Sequence, residues 1–437
     1  MKNTFLVLAS LIFYAFGAGK LVALLIIVAF AAWLFSLLIA KTKFKKGFLI
    51  IAIISYVGIL IYFKYLGFIF DNLIYAGVES LPEIKTISTI GLSFFIFQSI
   101  SYNIDVYRKN NRFEKNPGKI ILYITMFPQL ISGPLVRYKQ LEPFISQRKF
   151  DAGRFTEGIK RFIIGLGKKV LIANPLGLLT AKILETDLSI ISPAVAWTGA
   201  IAFALQVFFD FAGYTDMAIG VGKMLGFNLP ENFNYPYISR SITEFWRRWH
   251  MTLYNWLKEY IFTPLAMNMR HWGNAGIFIA LIITFFVCGI WHGPTWNFIL
   301  WGTSLGFFLG LEQIFLLKYL KKLKAFAVIY SLFIIINSGI LVLTPDLNVA
   351  AKYYNAMFTF DDISQLGLSA FVTNEQKVVF LFGIVFSMPL PLPQWLQKGI
   401  AATIFKIIKG VLLLLVFLLS VMSITTMAYN PFIYFRF

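Results

Sequence analysis

The sequence has little charge. Only 14% of its 437 residues are Asp, Glu, Lys or Arg, where a soluble domain carries about a quarter. That excludes an ordinary water-facing surface. Acid is scarcer than base, with 20 Asp and Glu against 39 Lys and Arg. Cysteine occurs once, at Cys288, which excludes an intrachain disulfide; an apolar setting makes it a small hydrophobe. With only three scattered histidines beside it, no metal-ligand spacing exists. The chain shows no low-complexity tract and no internal repeat of the inverted-topology transporter kind. No small-residue cleavage pattern follows Lys2, so no cleavable signal peptide is expected.

Apolar residues fill the space that charge leaves. Hydrophobic residues make up 58% and aromatics 18%, with 47 Phe, and the mean hydropathy is +0.74. Runs long enough to cross a bilayer, for which ~20 apolar residues suffice, recur throughout; residues 21–40 and 411–427 are the clearest. Lipid admits only helices or closed barrels, and these runs are continuous rather than alternating. The expected fold class is therefore an all-α polytopic membrane protein, with residues 1–437 forming a single domain. In a soluble protein the net charge of +19 would point to nucleic acid. Here Lys and Arg gather in cytoplasmic loops facing anionic lipid, and nucleic acid is not an expected partner.

The charges predict a topology. "KTKFKK" (residues 41–46) and "RKNNRFEKNPGK" (108–119) are placed inside, and "DNLIYAGVESLPEIK" (71–85) outside. "IILYITMFPQLISGPLV" is flanked on both sides by basic sequence and broken by Pro128, Gly133 and Pro134. A re-entrant hairpin fits it better than a crossing, and broken backbone at membrane depth requires cover by protein or a water-filled cavity. Spans over about 162–181 and 196–211 then lead to a long polar region, 223–258, on the inner side. The segment before His292 leads outward, and the one after it returns to "KYLKKLK" (318–324). A further span leads out to "TPDLNVAAKYYNAMFTFDDISQ", and two more follow. His292 falls toward the outer half of the membrane, and the C-terminus outside.

Polar groups in apolar sequence mark three regions. In the first, Asp210 and Asp216 flank Gly213; intramembrane carboxylates are either functional or tightly paired. Pairing is the favoured reading for Asp216, while the two readings are even for Asp210. "SITEFWRRWHMTLYNWL" reads as one amphipathic interfacial helix, with Ser241 and Glu244 forming a capping box. Trp246, Trp249, Leu253 and Trp256 share a face. Arg247 and Arg248 suit lipid head groups, or the phosphates of an acyl donor. In the second region, "FFVCGIWHGPTWNFILWG", His292 is followed by the helix breakers Gly293 and Pro294, with Thr295, Trp296 and Asn297 as polar neighbours. Burial favours a neutral imidazole, the state a general base needs. In the third, Gln98, Ser101, Tyr102 and Asp105 line one helix near its inner end. Of the other histidines, His271 belongs to an exposed loop and His250 to the inner surface.

The blocks "GLSFFIFQSISYNIDVYR", "FPQLISGPLVRY", "DFAGYTDMAIGVGKMLGFNLPENFNYPYISRSITEFWRRWHMTL", "GIWHGPTWNFILWG" and "NPFIYFRF" carry a likeness. The chain resembles the membrane-bound O-acyltransferase superfamily, and most closely its bacterial alginate O-acetyltransferase-like branch. The resemblance implies a ring of about ten or eleven transmembrane helices, with re-entrant segments, around a central tunnel open to a cytosolic acyl donor. It implies His292 as the catalytic residue and His250 as functionally important. The sequence departs from the family in two places. Relatives usually carry one more hydrophobic segment before "KNTFLVLASLIFYAFG", so the chain is expected to be shortened there. Many also have a second His where this chain has Leu305.

The expected activity is transfer of an acetyl group from cytosolic acetyl-CoA to a hydroxyl of an extracytoplasmic polysaccharide or peptidoglycan, in a bacterial inner membrane. No bound cofactor is expected; acetyl-CoA is a co-substrate. An SGNH hydrolase-like partner that passes the acyl group on belongs to the same picture. Arg247, Arg248, Asn297, Trp296, Asp210 and Gln98 are the candidate donor- and substrate-binding residues. Two other readings stand beside this one: D-alanyl transfer to teichoic acid from a carrier protein, and a glycan or lipid transporter or flippase. The second gives no reason for an imidazole beside a Gly-Pro break.

Overall fold

A computed structural model describes residues 2–78, 81–82, 90–110, 113–359, 366–391, 393, 398–426 and 432. Glu79 and Glu83 of the expected outer loop, part of "RKNNRF", all of "FDDISQ" and most of "NPFIYFRF" lie outside the described residues. The described chain is helical almost throughout, as apolar sequence must be when its backbone polar groups have to be satisfied within each segment. Among the described residues, eight helical stretches are long and apolar enough to cross a membrane. This is a polytopic α-helical membrane protein.

The eight fall short of the expected ten or eleven for a physical reason. Several apolar segments are shorter helices than their sequence implies: Leu92–Tyr107 has 16 residues, Pro117–Thr125 has 9 and Asn374–Phe386 has 13. At 1.5 Å per residue, nine residues reach only about 14 Å, well short of a ~30 Å hydrocarbon core. Elsewhere one continuous stretch holds two helices, as in Lys2–Lys41, where a single 3-10 turn joins Lys2–Ala18 to Val22–Lys41.

Contacts divide the chain into two compact units: residues 1–159 with 218–230, and 160–217 with 231–437. In the first, Pro117–Thr125 is followed by the four-residue helix Phe127–Leu130 and an irregular stretch. The breaks fall at the prolines and glycine read from the sequence, and protein covers the freed backbone. Tyr123 Oη donates to Val136 O at 2.8 Å, and Gln129 Nε2 donates to Tyr123 O at 2.7 Å. Tyr102 and Tyr123 each pack edge-on against Tyr138 beside them.

The second unit is built around the helix Pro193–Met224, which begins in it and has 32 residues, or about 48 Å. Gly213 does not interrupt it. A Cβ there would come within 2.6 Å of Gly165 O, so the glycine permits close approach of the neighbouring helix. That neighbour carries a π-helical turn, Lys168–Ala173. Its two leading lysines reach the two carboxylates. Lys168 Nζ lies 2.7 Å from Asp216, which also pairs with Arg161 at 2.6 Å, and Lys169 Nζ lies 2.8 Å from Asp210.

Candidate functional site

The helix Asn274–His292 ends at the expected break, and Trp296–Leu311 begins four residues later. Gly293 is extended, and Thr295 caps the second helix by accepting from Phe298 N. The two helices form a tight hairpin because Gly289 and Gly302 face each other. A Cβ on Gly302 would stand 2.7 Å from Gly289 Cα and collide with Phe285 O. His292 thus sits at the tip of a rigid pair, its ring 4.8 Å from Trp301 and 4.7 Å from Trp291.

His292 lines a cavity of about 90 Å³. Phe203, Ala204 and Val207 supply one wall; Ile335, Ser338, Gly339 and Val342 another; Tyr237, Phe245, Trp246, Trp249, Trp301 and Leu305 complete it. The polar atoms of this wall are few. Tyr237 Oη donates to Ala204 O, and Ser338 Oγ donates to Ile335 O. Burial also pushes the Tyr237 phenol far above its ordinary range. No carboxylate lines the cavity among the described residues.

A second cavity, of about 200 Å³, lies beside the first in the same unit. Arg247, Lys258, Thr243, Tyr254, Thr284 and Gln313 bring polar groups to it, and Phe285 lines it too. Trp246 of the first cavity and Phe285 of the second touch edge-to-face at 5.0 Å.

The segment that supplies Trp246 and Arg247 differs from the single amphipathic helix expected. It forms two helices, Ile242–Arg248 and Met251–Leu257, broken at His250, whose φ is 42°. Left-handed backbone is uncommon outside glycine. Asn232 holds it there: its Oδ1 accepts from Thr252 N and Oγ1, and its carbonyl accepts from Met251 N. Trp246 and Trp256 are buried rather than spread along an interface, because protein packs on their face. Ser241 caps the first helix as expected, accepting from Glu244 N, but Glu244 reaches Arg240 N rather than Ser241 N. The remaining N-terminal donors go to Glu312. This fully buried carboxylate accepts from Ile242 N at 2.6 Å, Thr243 N at 2.8 Å and Thr243 Oγ1 at 2.7 Å, complementing the positive helix end.

His250 is buried, 4.7 Å edge-on from Phe211 and 6.3 Å from Trp291. The indole of Trp291 therefore touches both imidazoles. Its Nδ1 lies 3.1 Å from Asn232 Oδ1, an oxygen already fixed as an acceptor by Thr252, so Nδ1 carries the proton and Nε2 the lone pair. Burial pushes the His250 pKa down to about 3, which leaves the ring neutral at physiological pH.

The candidate binding residues part company. Arg247 opens on the second cavity. Arg248 is engaged by Glu244 and Asn234 O. Asn297 donates to Thr344 O and Oγ1, which fixes the hairpin to the helix Ala325–Leu343. Trp296 is 56% exposed. Asp210 faces Lys169. Gln98, buried in the first unit, has an Oε1 that accepts no hydrogen bond among the described residues. Glu312, Asn232 and Trp301 were not singled out from sequence. An acid inside the apolar run "LGLEQIFLL" was the signal for Glu312, by the same rule that marked Asp210.

Comparison with known proteins follows the same residues. The model of the MBOAT, membrane-bound O-acyltransferase family, matches residues 108–341. The probable alginate O-acetylase AlgI of Pseudomonas putida is 33% identical, over 100% of this chain and 94% of that protein. The peptidoglycan O-acetyltransferase of Helicobacter pylori is 34% identical, over 70% of this chain and 64% of that protein. The teichoic acid D-alanyltransferase of Bacillus subtilis is 30% identical, over 51% of this chain and 58% of that protein.

Proposed function

The chain belongs to the membrane-bound O-acyltransferase family, and from that premise we propose that the His292 cavity receives the acetyl end of acetyl-CoA and hands it to an extracytoplasmic sugar hydroxyl. The protein is a polytopic membrane O-acyltransferase. Residues 1–437 act as one transferase domain in the bacterial inner membrane, a reading supported by similarity to AlgI proteins over the whole of this chain. A ring of helices with re-entrant segments around a tunnel is the arrangement that lets a charged donor stay in the cytosol while its acyl end reaches depth.

The cavity chemistry carries the choice of donor. Its volume of about 90 Å³ suits a two-carbon acyl group and falls below the ~150 Å³ that admits benzene. Aromatic and aliphatic groups line it, with no carboxylate to hold an ammonium among the described residues; a D-alanyl group would bury its charge unpaired there, which costs several kcal/mol. That disfavours D-alanyl transfer here. The neighbouring cavity with Arg247 and Lys258 suits the phosphates and polar arm of the donor.

His292 takes the proton of the attacking hydroxyl, the hydroxyl oxygen bonds to the thioester carbon, the carbon–sulfur bond breaks, and the proton passes to the thiolate. His250, neutral and fixed in one tautomer, supports the site from behind Trp291. The acceptor is a polysaccharide or peptidoglycan hydroxyl, reached directly or through an SGNH hydrolase-like partner. The test supplies purified protein with labelled acetyl-CoA or with a D-alanyl-charged carrier protein, plus glycan. Acetyl label moves to the glycan and D-alanyl label does not. D-alanyl transfer, or no acyl chemistry at all, as a transporter would give, overturns the reading.

A further inference from the structure

Trp246 is only 1% exposed and its indole lines an apolar cavity. Its Nε1 makes no hydrogen bond among the described residues. An indole nitrogen is a donor only, and a buried tryptophan normally finds it a partner. Leaving such a group buried and unpaired carries its full desolvation penalty, so a phenylalanine would fill the same wall more cheaply. The ring is also held firmly. Phe285 packs against it at 5.0 Å and Trp301 at 6.0 Å, and Glu312 fixes the start of its helix. The hydroxyls of Tyr237 and Ser338 already donate to backbone carbonyls.

We propose that the Trp246 indole N–H donates a hydrogen bond to the acyl carbonyl oxygen in this cavity, a proposal that rests on the cavity being the acyl site. His292 lines the same cavity and is occupied with the hydroxyl proton, so the carbonyl oxygen needs a donor of its own. As the hydroxyl oxygen bonds to the carbonyl carbon, negative charge grows on that oxygen, where a preorganised donor in a dry site is most effective. As the carbonyl re-forms, the carbon–sulfur bond breaks and the charge leaves on the thiolate sulfur, which takes the proton from His292. The indole keeps its proton throughout. Trp246 thereby distinguishes a carbonyl-bearing donor from an alkylated one.

The experiment compares wild type with Trp246→Phe, which keeps a ring and removes the donor. Two stable probes are titrated into purified full-length protein: the ketone analogue of acetyl-CoA, in which a methylene replaces the thioester sulfur, and S-ethyl-CoA, which has no carbonyl. Wild type binds the ketone several-fold more tightly; Trp246→Phe loses that preference while still binding S-ethyl-CoA. Its kcat for acetyl transfer falls roughly a hundredfold with little change in KM. An unchanged ketone preference, or an equal loss of both probes, overturns the proposal. His292→Ala loses transfer but keeps the ketone preference, so failure of the general base and failure of the Trp246 donor are separate results.

Discussion

Filling the cavity from Gly339 tests its role without disturbing its chemistry. Gly339 lies in the helix Ala325–Leu343 and lines the cavity. A Cβ built there meets only Phe203, itself part of the wall, at 4.0 Å. The substitution Gly339→Ala is therefore accepted sterically, and in a helix it gains ~0.5–1 kcal/mol. The added methyl takes up part of the cavity of about 90 Å³, and Gly339→Val, with three added carbons, takes up more. One methylene in a fitted pocket is worth ~10–200-fold. Gly339→Ala should cut propionyl-CoA use at least roughly tenfold relative to acetyl-CoA, and Gly339→Val should lower acetyl transfer by about a hundredfold or more. Val342→Ala, which trims another wall residue, should shift the preference toward propionyl. The assay is kcat/KM for an acyl-CoA series with protein in nanodiscs, with thermal unfolding as the control for folding. Wild-type acetyl transfer by a well-folded Gly339→Val protein would refute the placement of the acyl group.

Two further outcomes concern how the site is held. Glu312→Ala removes the acceptor of two backbone N–H groups and one hydroxyl in a buried place, at ~1–3 kcal/mol for each group left unpaired; unfolding should drop by about 3 kcal/mol or more, transfer should fall with it, and Glu312→Gln should recover part of both. His250 has its pKa lowered to about 3 by burial. Between its ordinary value near ~6.5 and that value, only the unfolded chain binds the proton, so stability is full above the ordinary value and declines as pH falls. The loss between pH 7 and 5 is about 2 kcal/mol. His250→Asn, which tolerates the left-handed backbone, should flatten this stretch in denaturation curves, and an unchanged slope would count against the burial argument.

The sequence made some features legible because their causes are local. Long apolar runs predicted the helices, and Gly293 and Pro294 predicted the break that presents His292. Ser241 was readable as a cap because capping depends on its immediate neighbours. The turn at His250 was not, since neither Gly nor Pro marks it and its cause, Asn232, lies across a loop. A row of tryptophans reads the same whether lipid head groups or protein cover it, and only packing showed Trp246 and Trp256 to be buried. Asp210 and Asp216 were recognisable as costly groups, but Lys169 and Lys168 come from another helix. Asn297 was placed near the imidazole by sequence proximity; its amide turns to Thr344, 47 residues away.

The most direct measurement uses inside-out membrane vesicles supplied with labelled acetyl-CoA on the exposed cytoplasmic face, with wild type and His292→Ala present at equal, folded amounts. The account predicts that label accumulates on glycan in the lumen with wild type and stays at background with His292→Ala. Lumenal label from the variant at the wild-type rate would contradict it.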